Sequence, residues 1–300
     1  MKIAFYTEPA WALGAITTGL IKELHKWGIS GHLLSWSNEY SPREWELLNK
    51  TYDRFVVTPC LIPQRLIERG IPQEKIVVIS HGRTDFHYAK SCNYDWNKFA
   101  GIAAISPMLV QHAKEMGVNR EVKLVQNGID FDFYYQEPSS KLQNIGYGGT
   151  WEYINHFESK DNLKRPHLVE SIVDQTNLNF VKNTEKLFYQ CMPAYYKSID
   201  ALIMPTNEQE ACGLPIMEAA AAGRVVLSAS VGIVDHLKAS PGFILPLEED
   251  KFIERGVATL KSMQTYPQIY NFMCKKAQDF ARSYYDWSVV VNGWIDVITK

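Results

Sequence analysis

The sequence has little excess of charge and no long apolar run. Its formal net charge is −2 at pH 7 over 300 residues, whereas general nucleic-acid binders usually carry a basic excess. The charge therefore disfavours nucleic acid as a partner. No apolar run approaches the roughly 20 residues that a helix needs to cross a bilayer. Met1–Tyr6 is too short for a signal peptide and leads directly into foldable sequence, so no transmembrane or secretory segment is expected.

Cysteine is scarce, and two cofactor patterns are missing. The five cysteines, at positions 60, 92, 191, 212 and 274, show no paired or metal-ligand spacing. We therefore expect reduced thiols and a cytoplasmic location. The sequence has no GxGxxG turn, so a dinucleotide cofactor is unsupported. It also has no Asp-x-Asp pair in a context suited to a metal, and we predict that no metal is obligatory.

What the sequence does contain is a regular alternation of strands and helices. Hydrophobic residues make up 46% and charged residues 21% of the chain, values typical of a globular protein with room for two domains. The alternation predicts an α/β fold with a doubly wound parallel sheet. In the first half the predicted strands are Lys2–Tyr6, His32–Trp36, Arg54–Val57, Ile76–Ile79, Gly101–Ile105 and Val122–Val125, and the predicted helices are Gly14–Trp27, Glu44–Asn49, Gln64–Arg69 and Pro107–Met116.

The most informative stretch lies in the second half, between two short apolar runs. Ala201–Pro205 and Arg224–Ser228 each predict a buried strand. Between them an acidic loop leads into an alanine-rich helix. Pro215 suits the first turn of that helix, and Gly223 suits the left-handed residue that ends it.

The start of this helix combines anion-binding groups with two carboxylates. Free N–H groups and the positive dipole end at Gly213 and Leu214 favour an anion such as a diphosphate. Glu210 lies at the carboxyl end of the preceding strand, where open α/β sheets bind ligands, and Glu218 is predicted within the first turn. Two carboxylates beside a phosphate site suit neutral hydroxyls, a sugar on one side and a ribose on the other. The simpler alternative is that Glu218 complements the dipole and Glu210 is a solvated charge.

The run EACGLPIMEAAAAG, which contains Glu210 and Glu218 seven residues apart, resembles the E-x7-E signature of retaining GT-B glycosyltransferases of family GT4. The likeness extends through Tyr196–Ala201 and Ser230–Gly232. It implies two Rossmann-like doubly wound parallel-sheet domains facing a cleft, the first Glu at the donor sugar and the second at the ribose. The sequence departs from the family at Arg224, where Pro is usual.

The resemblance also implies a clamp for the donor diphosphate. The run Asn144–Gly149 resembles the family's first donor-domain strand, which ends in Gly-Arg and is followed by Lys-Gly. Thr150 follows Gly149 where that Arg is expected, Lys164 aligns with the Lys, and Arg165 replaces the second glycine. Lys164 and the helix start then bind the diphosphate, with Arg165 as the candidate for the missing cation. A solvated basic pair that starts a helix is the alternative.

His81 is the catalytic candidate in the first half. It follows directly on the predicted strand Ile76–Ile79 and resembles the strand-then-His segment of GT4 enzymes, in which the His lies near the donor sugar and the acceptor. A structural histidine is the alternative. Arg83 and Asp85 are candidate acceptor contacts, with solvated loop charges as the alternative. Gly14 is what remains here of the family's glycine-rich loop that faces the cleft, which makes it a candidate ligand contact; a helix-start loop with no ligand role is the alternative.

The domain boundary is predicted near residue 138. The run Val125–Tyr134 resembles the family's NG(V/I)D segment, and Glu137–Ser140 is predicted as a linker. The predicted domains are therefore 1–137 on the acceptor side, 138–282 for the nucleotide-sugar donor, and 283–300 as a helix that crosses back to the first domain.

These features together predict a retaining hexosyl- or pentosyltransferase that uses a nucleotide-diphosphate sugar, either a UDP- or a GDP-sugar. No carboxylate is an evident covalent nucleophile of the kind that retaining glycosidases use, which favours front-side attack with Glu210 and His81 at the reacting sugar. The acceptor hydroxyl is left open between a glycan, a small molecule and a lipid. A nucleotide-sugar epimerase and a non-catalytic nucleotide-sugar-binding protein are the alternatives, and a transferase acting on DNA is disfavoured by the charge.

Overall fold

A computed structural model describes residues 1–58, 62–149, 163–183 and 187–300 of the chain. Residue contacts divide it into a first unit, Met1–Gly128 with Trp287–Lys300, and a second unit, Ile129–Asp286. The sequence prediction placed its divisions after residues 137 and 282. The acceptor and donor roles of the two halves stay predictions.

The segment predicted as a linker is bound within the second unit. Ser139 Oγ donates to Asp200 Oδ1 at 2.7 Å, and the Arg224 guanidinium donates to the backbone oxygen of Glu137 at 3.1 Å. The segment is thereby hydrogen-bonded to Asp200 and Arg224, the residues that directly precede the strands Ala201–Met204 and Val225–Ala229.

The first unit is built on a six-stranded sheet of order β2-β1-β3-β4-β5-β6, in which neighbouring strands run parallel. Its strands are β1 Lys2–Thr7, β2 Ser30–Ser35, β3 Arg54–Val57, β4 Ile76–Ser80, β5 Gly101–Ala104 and β6 Lys123–Leu124. The helices between them are α1 Ala12–Lys26, α2 Pro42–Thr51, α3 Ile62–Glu68, α4 Arg83–Ala89 and α5 Pro107–Glu115. Short 3₁₀ turns occur at Gln73–Lys75, Lys90–Cys92 and Trp96–Lys98.

The second unit is built on a five-stranded parallel sheet of order β11-β10-β9-β7-β8. Its strands are β7 Asn144–Tyr147, β8 Asn179–Val181, β9 Ala201–Met204, β10 Val225–Ala229 and β11 Phe243–Leu245. Its helices are α6 Phe131–Tyr134, α7 His167–Asp174, α8 Met192–Ser198, α9 Leu214–Ala221, α10 Ile233–Leu237, α11 Glu249–Thr265 and α12 Pro267–Tyr284, with a 3₁₀ turn at Tyr189–Cys191. The chain then ends in α13, Trp287–Ile298, which belongs to the first unit.

Strand β9 shows why the second sheet is covered on both faces. Leu202 and Met204 pack into one hydrophobic cluster together with α9, while Ala201 and Ile203 pack into a second cluster together with α7 and α11. Successive side chains of a strand point to opposite faces, so a run without polar residues must have apolar partners on both sides. The predicted doubly wound α/β fold is confirmed.

Both sheets share one topological feature that positions ligand sites. The strand order reverses at the first strand of each unit, which lies between the second and third strands: β1 between β2 and β3, and β7 between β8 and β9. Open α/β sheets bind ligands at the carboxyl ends of the strands beside such a reversal. In the second unit this edge contains the two glycines after β7 and the acidic loop after β9.

Candidate functional site

The carboxylate of Glu210 lies against the start of α9 and is paired with Lys164. Lys164 Nζ donates to Glu210 Oε2 at 2.8 Å. The backbone N–H groups of Cys212 and Gly213 donate to Oε1 at 3.2 and 3.1 Å. Burial acts to raise the pKa of Glu210, but the charge of Lys164 and these hydrogen bonds outweigh it and hold the pKa below its ordinary value. Glu210 is therefore ionised at neutral pH.

The Glu210 carboxylate therefore occupies the helix start at which the sequence predicts the diphosphate of a ligand. The N–H of Gly213, predicted as a diphosphate donor, is bonded to Glu210 instead. Gly213 itself has φ +80°, a left-handed conformation that favours glycine. The structure thus brings Lys164, Glu210 and the helix start together, and an entering diphosphate has to compete with Glu210 for the same donors.

The glycines after β7 keep the strand end close to α9. A Cβ atom at Gly148 would lie 2.1 Å from Met204 Sδ and 3.4 Å from Pro215 Cβ, and one at Gly149 would lie 2.7 Å from the Tyr147 ring. A side chain at Gly148 would therefore collide with β9. Thr150 and the loop up to residue 162 lie outside the described residues.

Glu218 is buried and holds two tyrosine hydroxyls. Tyr134 Oη donates to Oε1 at 2.7 Å, and Tyr196 Oη donates to Oε2 at 2.6 Å. Burial raises the pKa of Glu218, and the two hydrogen bonds offset this only in part. Because α9 begins at Leu214, Glu218 lies in its second turn, and the predicted first-turn position is wrong.

The two tyrosines are residues that sequence reasoning missed. Both lie in stretches that resemble the family: Tyr134 ends the run Val125–Tyr134, and Tyr196 begins the run Tyr196–Ala201. Neither was assigned a role, because no local pattern connects a tyrosine with a carboxylate 84 or 22 residues away.

Arg165 has a structural role that the sequence did not indicate. Its guanidinium donates to the backbone oxygens of Pro205, Leu247 and Thr206 at 2.6, 2.7 and 3.2 Å. The residue is 9% exposed and has φ +39°, a left-handed conformation that explains why a glycine is suited to this position. Three of its five N–H donors are thereby bonded to carbonyl groups of the protein, and the role of Arg165 as the missing diphosphate cation stays a prediction.

In the first unit, the turn at His81 is held by Asp85. The backbone N–H groups of His81 and Gly82 donate to Asp85 Oδ2 at 2.7 and 3.0 Å, and Ser80 Oγ donates to the same oxygen at 3.2 Å. Asp85 thus caps α4 from its third position, and its predicted acceptor contact stays a prediction. Arg83 is the exposed first residue of the same helix.

The His81 ring lies at the carboxyl edge of the first sheet. It lines a cavity of about 20 Å³ with Thr7, Thr58 and Trp294, at the ends of β1, β3 and β4. This is room for about one water molecule. Within the described residues Nδ1 is buried without a hydrogen-bond partner. Burial lowers the pKa of His81 to about 4, so the imidazole is neutral at neutral pH.

Gly14 is required by close packing at the start of α1. A Cβ atom there would lie 2.0 Å from the backbone oxygen of Pro9. Any side chain would therefore displace the turn after β1. The predicted contact of Gly14 with a ligand stays a prediction.

The described ranges contain neither a candidate metal centre nor a membrane-spanning helix. There, no three or more His, Cys, Asp or Glu side chains are close enough to hold a metal ion. Cys92, Cys191, Cys212 and Cys274 form no disulfide, and Cys60 lies outside the described residues. No helix in these ranges is long and apolar enough to cross a bilayer. The absence of an obligatory metal and the cytoplasmic location stay predictions.

Comparison with known proteins agrees with this site. Residues 159–262, about a third of the chain, match the model of a family described as group 1 glycosyltransferases. This range contains Lys164, Glu210, Glu218 and the start of α9. No curated protein matches the chain.

Solved structures match over almost the whole chain at low identity. Anabaena Alr3699/HepE in complex with UDP has a TM-score of 0.68 at 15% identity, with 100% of both chains covered. The catalytic domain of Arabidopsis thaliana starch synthase IV, bound to ADP and acarbose, has a TM-score of 0.71 at 12% identity, with 99% of this chain and 98% of that chain covered. An alpha-glucosyltransferase in complex with UDP-glucose and DNA containing an abasic site has a TM-score of 0.63 at 14% identity, with full coverage of both.

The protein has the GT-B fold, an α/β architecture of two parallel-sheet units. At these identities the structural likeness shows the fold alone, whereas the family match over residues 159–262 supports a glycosyltransferase.

Proposed function

We propose that this protein is a retaining glycosyltransferase of the GT4 type, which moves a hexosyl or pentosyl group from a nucleotide-diphosphate sugar to an acceptor hydroxyl. The observation that carries the proposal is the convergence of Lys164, Glu210 and the start of α9 beside the strand-order reversal. A cation, a helix N-terminus and a carboxylate together suit a diphosphate that is attached to a hydroxyl-rich group.

The donor is a UDP- or GDP-sugar. UDP and UDP-glucose occur in the complexes of HepE, which supports the first of these. On binding, the diphosphate accepts hydrogen bonds from Lys164 Nζ and the N–H of Gly213, which both leave Glu210. It also accepts one from the N–H of Leu214, the other donor predicted from the sequence. The carboxylate so released accepts hydrogen bonds from the sugar hydroxyls.

Glu218 retains the capacity to bind the ribose. A carboxylate offers about four lone-pair sites, and Tyr134 and Tyr196 use two of them. The tyrosines hold the carboxylate in one orientation, so the remaining lone pairs present a fixed acceptor to the ribose hydroxyls.

Transfer proceeds by front-side attack. The bond between the anomeric carbon and the diphosphate oxygen breaks, and the bond to the acceptor oxygen forms on the same face. The acceptor proton passes to the departing diphosphate oxygen. Lys164 and the helix N–H groups stabilise the charge that develops there. The neutral His81 orients the acceptor or the sugar through a hydrogen bond and does not supply a proton.

A thermal-shift screen tests the donor site. Ligands that bind the native state alone raise the melting temperature by mass action, with about 2.7 kcal/mol of stabilisation at a hundredfold excess over Kd. The panel consists of UDP, GDP, ADP and their common sugar conjugates. We expect one nucleotide to stabilise the wild type and Lys197→Ala, an exposed lysine on α8, and to stabilise Lys164→Ala far less.

Two outcomes would contradict the proposal. One is the absence of a shift for every nucleotide, and the other is an equal shift in Lys164→Ala. Retention is checked separately by NMR of the anomeric centre in the product, where inverted configuration would refute front-side attack.

A further inference from the structure

A second, larger cavity opens on the first unit and shares no lining residue with the cavity at His81. Its volume is about 790 Å³, within the range of small-molecule sites. Its walls come from the end of β1, the segment after β2, and helices α2 and α3. Four aromatic side chains and two arginines dominate them: Tyr6, Trp36, Tyr40, Trp45, Arg65 and Arg69.

The aromatic wall is held rigid by its own packing. Trp45 is 5% exposed and packs edge-to-face against Tyr6 and Tyr40, with ring centroids 5.7 and 5.2 Å apart. Tyr6 Oη donates to the backbone oxygen of Trp36 at 3.5 Å. Trp36 and Tyr40 are partly exposed. Both therefore have accessible aromatic surface for a ligand, and the contact with Trp45 limits the further ordering cost at Tyr40.

Two arginine side chains also line the cavity. Arg65 and Arg69 are four residues apart and lie on one side of α3 and its extension. Within the described part of the chain, neither guanidinium has a hydrogen-bond or ion-pair partner. Glu39 and Glu68 also line the cavity, so its two positive charges are balanced by two negative ones. Both donors and acceptors are thus available around an aromatic surface.

We infer that this cavity is a carbohydrate subsite that holds a sugar unit of the acceptor. A sugar ring presents an apolar C–H face that packs on Trp36 or Tyr40, and a rim of hydroxyls that hydrogen-bond with guanidinium and carboxylate groups. The balanced charge disfavours the phosphate backbone of a nucleic acid, which is bound by an excess of Lys and Arg side chains. The acceptor role rests on the proposed transferase function, whereas sugar binding itself is measured without it.

The inference is tested with an array of neutral oligosaccharides, followed by calorimetric titration of the best of them. The variants are Trp36→Ala and Arg69→Ala. Their matched controls are Trp27→Ala, a tryptophan that is 53% exposed at the end of α1, and Arg43→Ala, an exposed arginine on α2. We expect one class of oligosaccharide to bind the wild type and both controls equally. Each cavity variant is expected to bind it about tenfold more weakly or worse.

Donor binding serves as the independent reference. A nucleotide shift that survives in Trp36→Ala shows that the donor site is intact in this variant. If nucleotides bind but no oligosaccharide does, or if the cavity variants match their controls, the inference fails and the transferase proposal stands. If an oligosaccharide binds but no nucleotide does, the transferase proposal fails, and the acceptor role fails with it.

One competing ligand is distinguished directly. Aromatic rings and arginines also bind unstacked nucleobases in single strands. A ten-residue oligothymidylate is therefore titrated at low and high salt. Binding that is lost in Trp36→Ala and falls steeply with salt would replace the carbohydrate with a nucleic acid.

Discussion

Replacing Glu210 with Gln is expected to tighten nucleotide binding while it slows transfer. Glu210 holds the Lys164 ammonium at 2.8 Å and the N–H of Gly213 at 3.1 Å, the donors that we assign to the diphosphate. A diphosphate on these donors comes within roughly 5 Å of the carboxylate. At an effective dielectric constant of about 20, two such charges repel by roughly 3 kcal/mol.

The observable change is smaller than this repulsion, because the carboxylate can turn away when the donor binds. We therefore expect Glu210→Gln to bind the free nucleoside diphosphate about tenfold more tightly, which corresponds to about 1.4 kcal/mol. Transfer is expected to fall by at least a hundredfold, because the neutral amide no longer accepts strong hydrogen bonds from the sugar. Calorimetric titration and initial rates measure the two effects on the same protein.

The control is Glu208→Gln, which removes an exposed carboxylate two residues away in the same loop. It is expected to change neither quantity beyond about twofold, since exposed charges are screened. Weaker nucleotide binding in Glu210→Gln would refute the competition between carboxylate and diphosphate. Full transferase activity in Glu210→Ala would refute the role of Glu210 at the sugar.

Three further predictions concern stability, each measured by urea unfolding. Arg165→Ala is expected to cost about 3 kcal/mol, because three carbonyl groups lose a charged donor. A cost no larger than that of Arg255→Ala, which removes an exposed arginine on α11, would contradict this. Tyr196→Phe is expected to lower the free energy of unfolding by about 2 kcal/mol, because Glu218 loses a hydrogen-bond donor. This loss is expected to grow as pH rises through the raised pKa of Glu218, because the donor stabilises the ionised carboxylate more than the protonated one. A loss independent of pH would argue against it. Between pH 7 and 4.5 the wild type is expected to lose roughly 2–3 kcal/mol more than His81→Gln. The folded pKa of about 4 lies below the ordinary 6.5, so the unfolded chain binds more protons in this window. Equal pH profiles would rule this out.

Much of the fold was predictable because the signals that define its elements are local. The predicted strand Arg54–Val57 matches the observed β3, and the alanine-rich helix lies between β9 and β10 as expected. Pro215 lies in the first turn of that helix, and Gly223 after it has φ +68°. These predictions needed only hydrophobic periodicity and the conformational limits of proline and glycine.

The candidate site was predictable in its position but not in its contacts. The sequence indicated that Glu210 lies in the loop before the alanine-rich helix and Glu218 within that helix, and both do, although Glu218 lies in the second turn instead of the first. The sequence did not indicate that Glu210 bonds the helix N–H groups itself, or that Asp85 caps the helix after His81. A carboxylate in a loop has many partners within reach, and the choice among them depends on where neighbouring elements place their donors.

The alternation of strands and helices, and the position of the acidic loop at a helix start, were determined by the sequence alone. They follow from residues close together in the chain, whose spacing decides which face of each element is apolar. Tertiary structure alone decided the partners of the buried charges. Arg165 meets the Leu247 carbonyl from 82 residues away, and Glu218 meets Tyr134 from 84 residues away. Burial of such groups is costly unless each has a hydrogen-bonding partner. Whether a partner lies within reach depends on how the whole chain folds.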